Sequence, residues 1–254
     1  MMHVRVWDTE TIPRLDVPPE CDLIFNPDDV NIPANWGAEA ATKKIEGERK
    51  KFEKNADHKR NVNPQLCRPC SFCGFDSKIG EYLELFAKNE EEEVPLLSKA
   101  RDWLTESYNM GIPLVGFNSK AYDLQMLQWR SMVLDVAGMR PDIYYKLLDH
   151  RLENMAHIDL MLSLGIRTPF SGKPTTEKQD WYCAYFGLPG KIGDWTGASV
   201  WPAFKEGWFD DIQIYNRGDV DALYGLFCYV APWVVDFSRM NRGAAALDES
   251  KISE

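Results

Sequence analysis

Two acidic residues that directly follow an apolar run near the start of the chain limit its possible folds more than any other feature. Residues 4–7 are mostly apolar, which predicts a short buried β-strand, and Asp8 and Glu10 come next, separated by one residue. Side chains at positions i and i+2 of an extended chain point to the same side, so both carboxylates should project together from the end of a core strand. Two such charges raise each other's pKa unless a cation lies between them. A hard divalent cation such as Mg²⁺, which binds oxygen ligands, meets that need.

An Asp-x-Glu pattern also arises by chance where a strand runs into an acidic turn, so a metal site needs further ligands. Asp123 lies in the first turn of a predicted helix, just after a short apolar strand predicted at 112–115. It is either a charge favoured by the helix dipole or a ligand at a strand's carboxyl end, where α/β folds place their chemistry.

A second possible ligand lies on a long helix predicted at 208–230. There Asp219 follows Tyr215 by four residues, and positions i and i+4 share a helix face. The phenol and the carboxylate should therefore be neighbours, although a half-buried tyrosine beside a surface charge would give the same pattern.

The composition predicts a protein of the cell interior. The chain of 254 residues has no run of eighteen apolar residues that could span a membrane, and its first residues lack the apolar core of a signal peptide. Six unevenly spaced cysteines do not form a disulfide scaffold, so reduced thiols are expected. We expect a cytoplasmic location, which means the host cytoplasm if the protein is viral.

The net charge of −10 argues against a protein that holds nucleic acid by bulk electrostatics. The negative charge is compatible with an enzyme that contacts nucleic acid locally and has an acidic, metal-binding site. The charge is uneven, because residues 43–78 contain ten Lys or Arg against five Asp or Glu. A polyanion should meet this positive part first.

Residues 13–36 contain five prolines and predict irregular chain, whereas residues 38–57 predict a polar helix. A helix of this kind is usually a solvated surface. The alternative is contact with nucleic acid, or with replication or recombination proteins, through a basic set: Lys43, Lys44, Arg49, Lys50 and Lys51.

Three cysteines, Cys67, Cys70 and Cys73, follow His58 at a spacing that zinc could use. The alternative is a β-hairpin over residues 70–76 and 81–86, which would point Cys70 and Cys73 to opposite faces as small buried thiols.

The alternation of strand and helix patterns predicts an α/β fold. We predict a single domain over residues 1–242. It contains a partly basic insertion at about residues 13–66, and residues 243–254 form a flexible tail.

Three short motifs, taken together, resemble a known family. Asp8-Thr9-Glu10-Thr11, Asn118-x-x-x-Tyr122-Asp123 and Tyr215-x-x-x-Asp219 are similar to the three exonuclease motifs of the DEDD superfamily, tyrosine subclass. Residues 8–13, 157–161 and 186–191, followed by Val200-Trp201, narrow the resemblance to the predicted 3′–5′ exonucleases related to the proofreading domain of family B DNA polymerases.

Two departures from the family pattern stand out. Tyr122 occupies a position where Phe is more usual, and Asn216-Arg217-Gly218 replaces the more usual residues before Asp219. A glycine within a helix costs about 1 kcal/mol relative to Ala, which could loosen this helix.

The resemblance implies a ribonuclease H-like fold, with a mixed central sheet flanked by helices. It also implies a metal-dependent exonuclease that releases 5′-nucleoside monophosphates from the 3′ end of DNA, with single strands as the expected substrate. The implied cofactors are two Mg²⁺ or Mn²⁺ ions, bound by four carboxylates: Asp8, Glu10, Asp123 and Asp219.

The resemblance assigns each site residue a role. Asp8 would bridge both ions, Glu10 and Asp219 would complete the ion that activates water, and Asp123 would hold the second ion. Tyr215 would orient the attacking water, since a phenol ordinarily titrates near pH 10 and makes a poor base. The candidate substrate contacts are Thr9, Phe117, Asn118, His157 and Lys191, although His157 could instead be structural.

Three other functions are compatible with parts of the sequence. They are a catalytically silent nucleic-acid-binding or scaffold protein on the same fold, an exonuclease directed at RNA, and a zinc-binding interaction module built on the three cysteines. The presence of all four acids and Tyr215 favours an active enzyme.

Overall fold

A five-stranded mixed sheet forms the centre of the computed structural model, which describes residues 2–14, 16–18, 21–150, 155–167, 174–190 and 195–235. The strand order is β3-β2-β1-β4-β5, antiparallel from β1 to β3 and parallel from β1 through β4 to β5. The strands are β1 (Arg5–Pro13), β2 (Cys67–Asp76), β3 (Glu81–Phe86), β4 (Leu114–Gly116) and β5 (His157–Asp159). A separate pair comprises β6 (Ile166–Arg167) and β7 (Pro174–Thr175). The predicted mixed sheet is confirmed.

Helices cover both faces of this sheet. In chain order they are α1 (Ala38–Asn61), α2 (Glu90–Asn109), α3 (Asp123–Val133), α4 (Pro141–Leu148), α5 (Leu160–Leu164), α6 (Gln179–Tyr185), α7 (Gly197–Glu206) and α8 (Phe209–Val234). Because side chains alternate along β1, Trp7 packs with α2, α3 and α4, whereas Val6 packs with α8. No helix of the described chain is long and apolar enough to cross a membrane.

Strand β1 is longer than the sequence predicted. We expected it to end at Trp7, but it continues to Pro13 because its polar half pairs with β2 through Asp8, Glu10 and the residues beyond them. The two acids therefore lie within the strand rather than after it. Their shared orientation is unchanged, since the period of two holds along the whole strand.

A β-bulge changes the expected direction of one cysteine. Glu10 pairs with Ser71 but Thr11 pairs with Pro69, so Cys70 is an extra residue in β2. Cys70 and Cys73 both lie in apolar clusters that include residues of α8, and the prediction of opposite faces is wrong.

The three cysteines do not form a metal site in the described chain. Cys67 packs on the other side of the sheet, with Trp7, and the thiols contribute to no cluster that could hold a metal ion. Burial raises the pKa of the Cys67 thiol to about 11 and that of Cys70 well above its usual value. Both thiols are therefore protonated near neutral pH.

The chain between β1 and β2 contains a short 3₁₀ turn (Pro27–Asp29) and α1, as the sequence predicted for the helix. Helix α1 has no buried residue. It is held at one side by Phe52, which packs on Phe25, and by an ion pair between Arg60 and Asp22. The predicted tail at 243–254 lies outside the described residues, and the single domain over 1–242 stays a prediction.

Candidate active site

Three carboxylates from two distant parts of the chain meet at one point. Asp8 and Glu10 project from the same face of β1, and Asp219 joins them from α8. One ligand oxygen of each residue lies within 4.8 Å of the other two. Glu10 and Asp219 are buried, and Asp8 is half-buried. Among the described residues this is the only such group of three.

Helix α8 brings Asp219 to this point because its apolar face packs on the sheet. Ile212, Val220 and Leu223 lie in the clusters that it forms with β1 and β2. The side-chain amide of Gln179, in α6, donates a hydrogen bond of 2.9 Å to the backbone carbonyl of Asp219. The helix runs without a break through Gly218, so the glycine does not interrupt the predicted spacing.

Asp123 lies next to this group without being one of the three. The hydroxyl of Thr9, on β1, donates a hydrogen bond to its carboxylate. Burial raises the pKa of Asp123 well above its usual value, and the negative charge of Asp8 raises it further, against the opposing effect of Thr9. Asp123 is thus held by Thr9, the residue between Asp8 and Glu10, and its carboxyl is affected by the charge of Asp8.

We expect Asp123→Asn to stabilise the metal-free protein at pH 8 by roughly 0.5–2 kcal/mol, the usual size of a single stabilising substitution. A carboxyl whose pKa is raised on folding binds more protons in the native state. The stability that this carboxyl contributes is therefore lost as the pH rises from its pKa in the unfolded state to its pKa in the folded state. The amide oxygen of Asn still accepts the Thr9 hydrogen bond but carries no charge.

Urea unfolding in EDTA from pH 4 to pH 8 measures this effect. The advantage of the Asn variant should shrink toward pH 4, and Asp211→Asn, an exposed change on α8, should show no such trend. Parallel stability curves for parent and Asp123→Asn would contradict the raised pKa.

Tyr215 lies one helical turn before Asp219 and is buried. Its ring packs with Ile12 and Cys70, and its centroid lies 5.8 Å from that of Trp195. Trp195 is half-buried beside this ring and was not singled out from the sequence, where nothing marks it. The structure thus adds an aromatic side chain to the edge of the site.

The loop between β4 and α3 is held by β5. The carboxylate of Asp159 accepts hydrogen bonds from the backbone N–H groups of Asn118 and Lys120, at 2.9 and 3.1 Å. Asn118 has a φ of 61°, a left-handed conformation that these bonds help to maintain. Gly116 is required here, because a Cβ atom at this position would lie 2.0 Å from the Ser119 hydroxyl. This loop fixes the start of α3 and therefore Asp123.

His157 supports the same loop rather than contacting a substrate. Its side chain is fully buried, with Nε2 2.9 Å from the Ser119 hydroxyl and Nδ1 3.0 Å from the Leu147 carbonyl. Burial lowers the pKa of His157 to about 3, so the ring is neutral. We therefore choose the structural interpretation of the two that the sequence allowed. Asp159, which the sequence did not single out, supports the loop in the same way.

The other candidate substrate contacts differ in what they can offer. The hydroxyl of Thr9 is already bonded to Asp123. Phe117 and Asn118 are half-buried, and Phe117 lies with its ring centroid 6.1 Å from that of Tyr182. Lys191 lies outside the described residues.

The donor set fits a hard divalent cation. The group offers only carboxylate oxygens, which suit Mg²⁺ and Mn²⁺ rather than the softer metals that prefer thiolate or imidazole. Two of its three members are buried, and clustered buried carboxylates are costly without a positive charge among them. Asp8, Glu10 and Asp219 would hold such an ion, with Asp123 at the edge.

Comparisons with known proteins give a family and a similar fold for this chain. A family model described as "Predicted 3'-5' exonuclease related to the exonuclease domain of PolB" matches residues 60–242. No curated protein sequence matches the chain. Among solved structures, the family B DNA polymerase from the hyperthermophilic archaeon Pyrobaculum calidifontis is similar, with a TM-score of 0.53 and 14% identity over 91% of this chain.

The likeness to the polymerase concerns the fold alone, since the identity is low. This chain spans 25% of the polymerase's length. The predicted ribonuclease H-like arrangement of a mixed sheet with flanking helices is confirmed.

Proposed function

The chain belongs to the family of predicted 3′–5′ exonucleases related to the exonuclease domain of PolB, and from this we propose that it is an active, metal-dependent nuclease. Its substrate would be the 3′ end of single-stranded DNA, and its products 5′-nucleoside monophosphates. The observation that supports activity most directly is the convergence of Asp8, Glu10 and Asp219. A catalytically silent relative would have no need to retain this costly group of acids.

Each residue of the candidate site would have a separate role in the hydrolysis. Asp8, Glu10, Asp219 and Asp123 would hold two Mg²⁺ or Mn²⁺ ions, which supply an activated water and neutralise charge on the phosphodiester. The hydroxyl of Tyr215, one turn from Asp219, would orient the attacking water. Thr9 holds the Asp123 carboxylate in place through its hydrogen bond.

Two aromatic residues at the site are suited to contact the bases near the 3′ end. Phe117, in the loop before α3, and Trp195, beside Tyr215, are both half-buried and so keep part of each ring accessible. Bases stack on aromatic side chains with little dependence on sequence. An enzyme that removes nucleotides one after another needs that tolerance.

We also propose that the protein acts in the cytoplasm.

A nuclease assay on matched DNA and RNA oligonucleotides, single- and double-stranded, tests the proposal. With a 5′ label and Mg²⁺ or Mn²⁺, we expect a ladder that shortens from the 3′ end, fastest on single-stranded DNA. EDTA should abolish it. Faster hydrolysis of RNA would change the assigned substrate, and the absence of a metal-dependent ladder on all substrates would refute the activity.

A further inference from the structure

Asn216 is a buried polar residue to which the proposed function gives no role. It lies in α8 between Tyr215 and Asp219, in the segment that departs from the family pattern. The residue is fully buried, and neither Nδ2 nor Oδ1 has a hydrogen-bond partner among the described residues. A buried amide without a partner is costly, and folded proteins keep few of them. We therefore looked for a ligand that this amide could bind.

Helix α8 directs Asn216 toward the central sheet. At about 100° per residue, Asn216 lies within roughly 40° of both Ile212 and Val220 around the helix. Ile212 belongs to the apolar cluster that contains Ile12 of β1. Val220 belongs to the apolar cluster that contains Val6 of the same strand. Asn216 therefore faces the part of the sheet that lies between Val6 and Ile12.

This part of the sheet carries the carboxylates of the candidate site. Side chains alternate along β1, so Asp8 and Glu10 share the face of Val6. On the helix, Asn216 precedes Asp219 by three positions, a spacing at which Cβ atoms lie about 5–6 Å apart. The amide of Asn216 thus lies beside the group that Asp8, Glu10 and Asp219 form.

A neutral amide can make hydrogen bonds that these acids cannot. An ionised carboxylate only accepts hydrogen bonds, whereas an Asn side chain has one acceptor oxygen and two N–H donors. Mg²⁺ usually keeps several of its waters when carboxylates bind it, and the charge of the ion makes those waters strong donors. The amide oxygen can accept from such a water without adding a negative charge, whereas another carboxylate would increase the repulsion within the group.

We propose that the Asn216 carboxamide accepts a hydrogen bond from a water of the divalent cation at Asp8, Glu10 and Asp219. Asn216 is thus a positioning residue of the metal site. This inference rests on the proposed function for the presence and class of the ion. In the metal-free protein the buried amide lowers stability, and the hydrated ion removes this cost by giving the amide a partner. A residue kept only for packing would stabilise the protein with or without metal.

Two apolar variants of the full chain, Asn216→Ala and Asn216→Leu, test this role by calorimetric titration with Mn²⁺. We expect the dissociation constant to rise roughly tenfold in both, the usual loss when a group that hydrogen-bonds to the ligands of a metal is removed. In EDTA, at least one of the two should unfold at a urea concentration no lower than the parent's. Unchanged Mn²⁺ affinity would overturn the proposal. Lower urea midpoints in both variants would also overturn it, because the amide would then belong to the packing of α8.

The matched control is Ile212→Val, which trims another fully buried side chain one turn earlier on the same helix face. It should lower the urea midpoint slightly and keep the parent's Mn²⁺ affinity. An equal loss of affinity in Ile212→Val would show that any disturbance of α8 weakens metal binding. That result would remove the specific role of Asn216.

Asn216→Asp keeps an acceptor oxygen in nearly the same place and adds a charge. It should bind Mn²⁺ at least as tightly as the parent at pH 8. In EDTA it should be less stable than the parent, because a further carboxylate joins the acidic group. Weaker Mn²⁺ binding by Asn216→Asp would contradict the proposed acceptor role.

The titrations contain no substrate, so they are independent of nuclease activity. If the parent bound Mn²⁺ but hydrolysed no oligonucleotide, the proposed function would fail, and the titrations would still decide the role of Asn216. A parent that binds no Mn²⁺ would overturn both.

Discussion

Replacing Asp8 by Ala is expected to abolish the Mg²⁺-dependent release of mononucleotides from a 3′-labelled oligonucleotide. Asp8 acts on all three of the other acids. One of its oxygens lies within 4.8 Å of oxygens of Glu10 and Asp219. Its negative charge raises the pKa of Asp123. A bound metal contributes several kcal/mol to phosphodiester hydrolysis, and each 1.4 kcal/mol is about tenfold in rate. We expect a loss of roughly 10³-fold or more.

The matched control is Asp211→Ala, which removes an exposed carboxylate from the first turn of α8. It should keep the parent's rate. Circular dichroism and thermal unfolding in EDTA should show that Asp8→Ala folds and is no less stable than the parent, because one like charge has left the acidic centre. Mn²⁺ titration should show weaker binding. Undiminished nucleotide release by Asp8→Ala would refute the assignment of the site.

The largest effect on stability is expected from Arg130→Met. Arg130, in α3, and Glu93, in α2, are both fully buried and form two charge-assisted hydrogen bonds of 2.6 and 2.8 Å. Arg68 lies farther away, with its nitrogen 3.8 Å from Glu93. Removing Arg130 leaves the Glu93 carboxylate buried with little compensation. Breaking a buried pair in this way costs about 3–5 kcal/mol, which urea unfolding at pH 7 would measure.

The double variant Glu93→Leu/Arg130→Met is the matched control for this prediction. It removes both charges and fills the space with apolar groups, so most of the lost stability should return. Arg140→Met removes an exposed arginine that pairs with the exposed Asp142, and it should leave the stability almost unchanged. If Arg130→Met were as stable as the parent, the prediction that breaking this buried pair is costly would be wrong.

The acidic residues of the site were predictable because their spacing is a property of local chain geometry. Asp8 and Glu10 share a face of the strand whatever its length. The prediction that β1 ends at Trp7 was wrong, but it did not affect the predicted orientation of the two acids. Tyr215 and Asp219 share a helix face for the same reason, and the helix is unbroken at Gly218. The family resemblance added what local geometry does not contain, namely that these segments belong to one site.

The errors and omissions concern contacts between segments. The bulge at Cys70 depends on how β2 pairs with β1, which no pattern within β2 reveals. Trp195 reaches Tyr215 only because α7 and α8 pack on the same sheet, and Asp159 holds the loop at Asn118 only because β5 lies beside β4 in that sheet. The prediction that α1 is a polar helix was correct, but its position depends on hydrogen bonds from distant segments, which Tyr122 donates to the Asn61 carbonyl and Trp201 to the Asp57 carboxylate.

The sequence by itself determined the elements and the chemistry of this protein: a buried strand with paired carboxylates, a long helix with a tyrosine and an acid one turn apart, and an oxygen-rich ligand set. Hydrophobic periodicity and side-chain direction are local, and they are set by the covalent chain. Only the tertiary structure decided the distance between Asp219 and the β1 pair, the raised pKa of Asp123, and the position of α1 at the edge of the site. Those properties depend on burial and on charges brought together from distant positions, which exist only once the apolar faces of α8 and the sheet have packed.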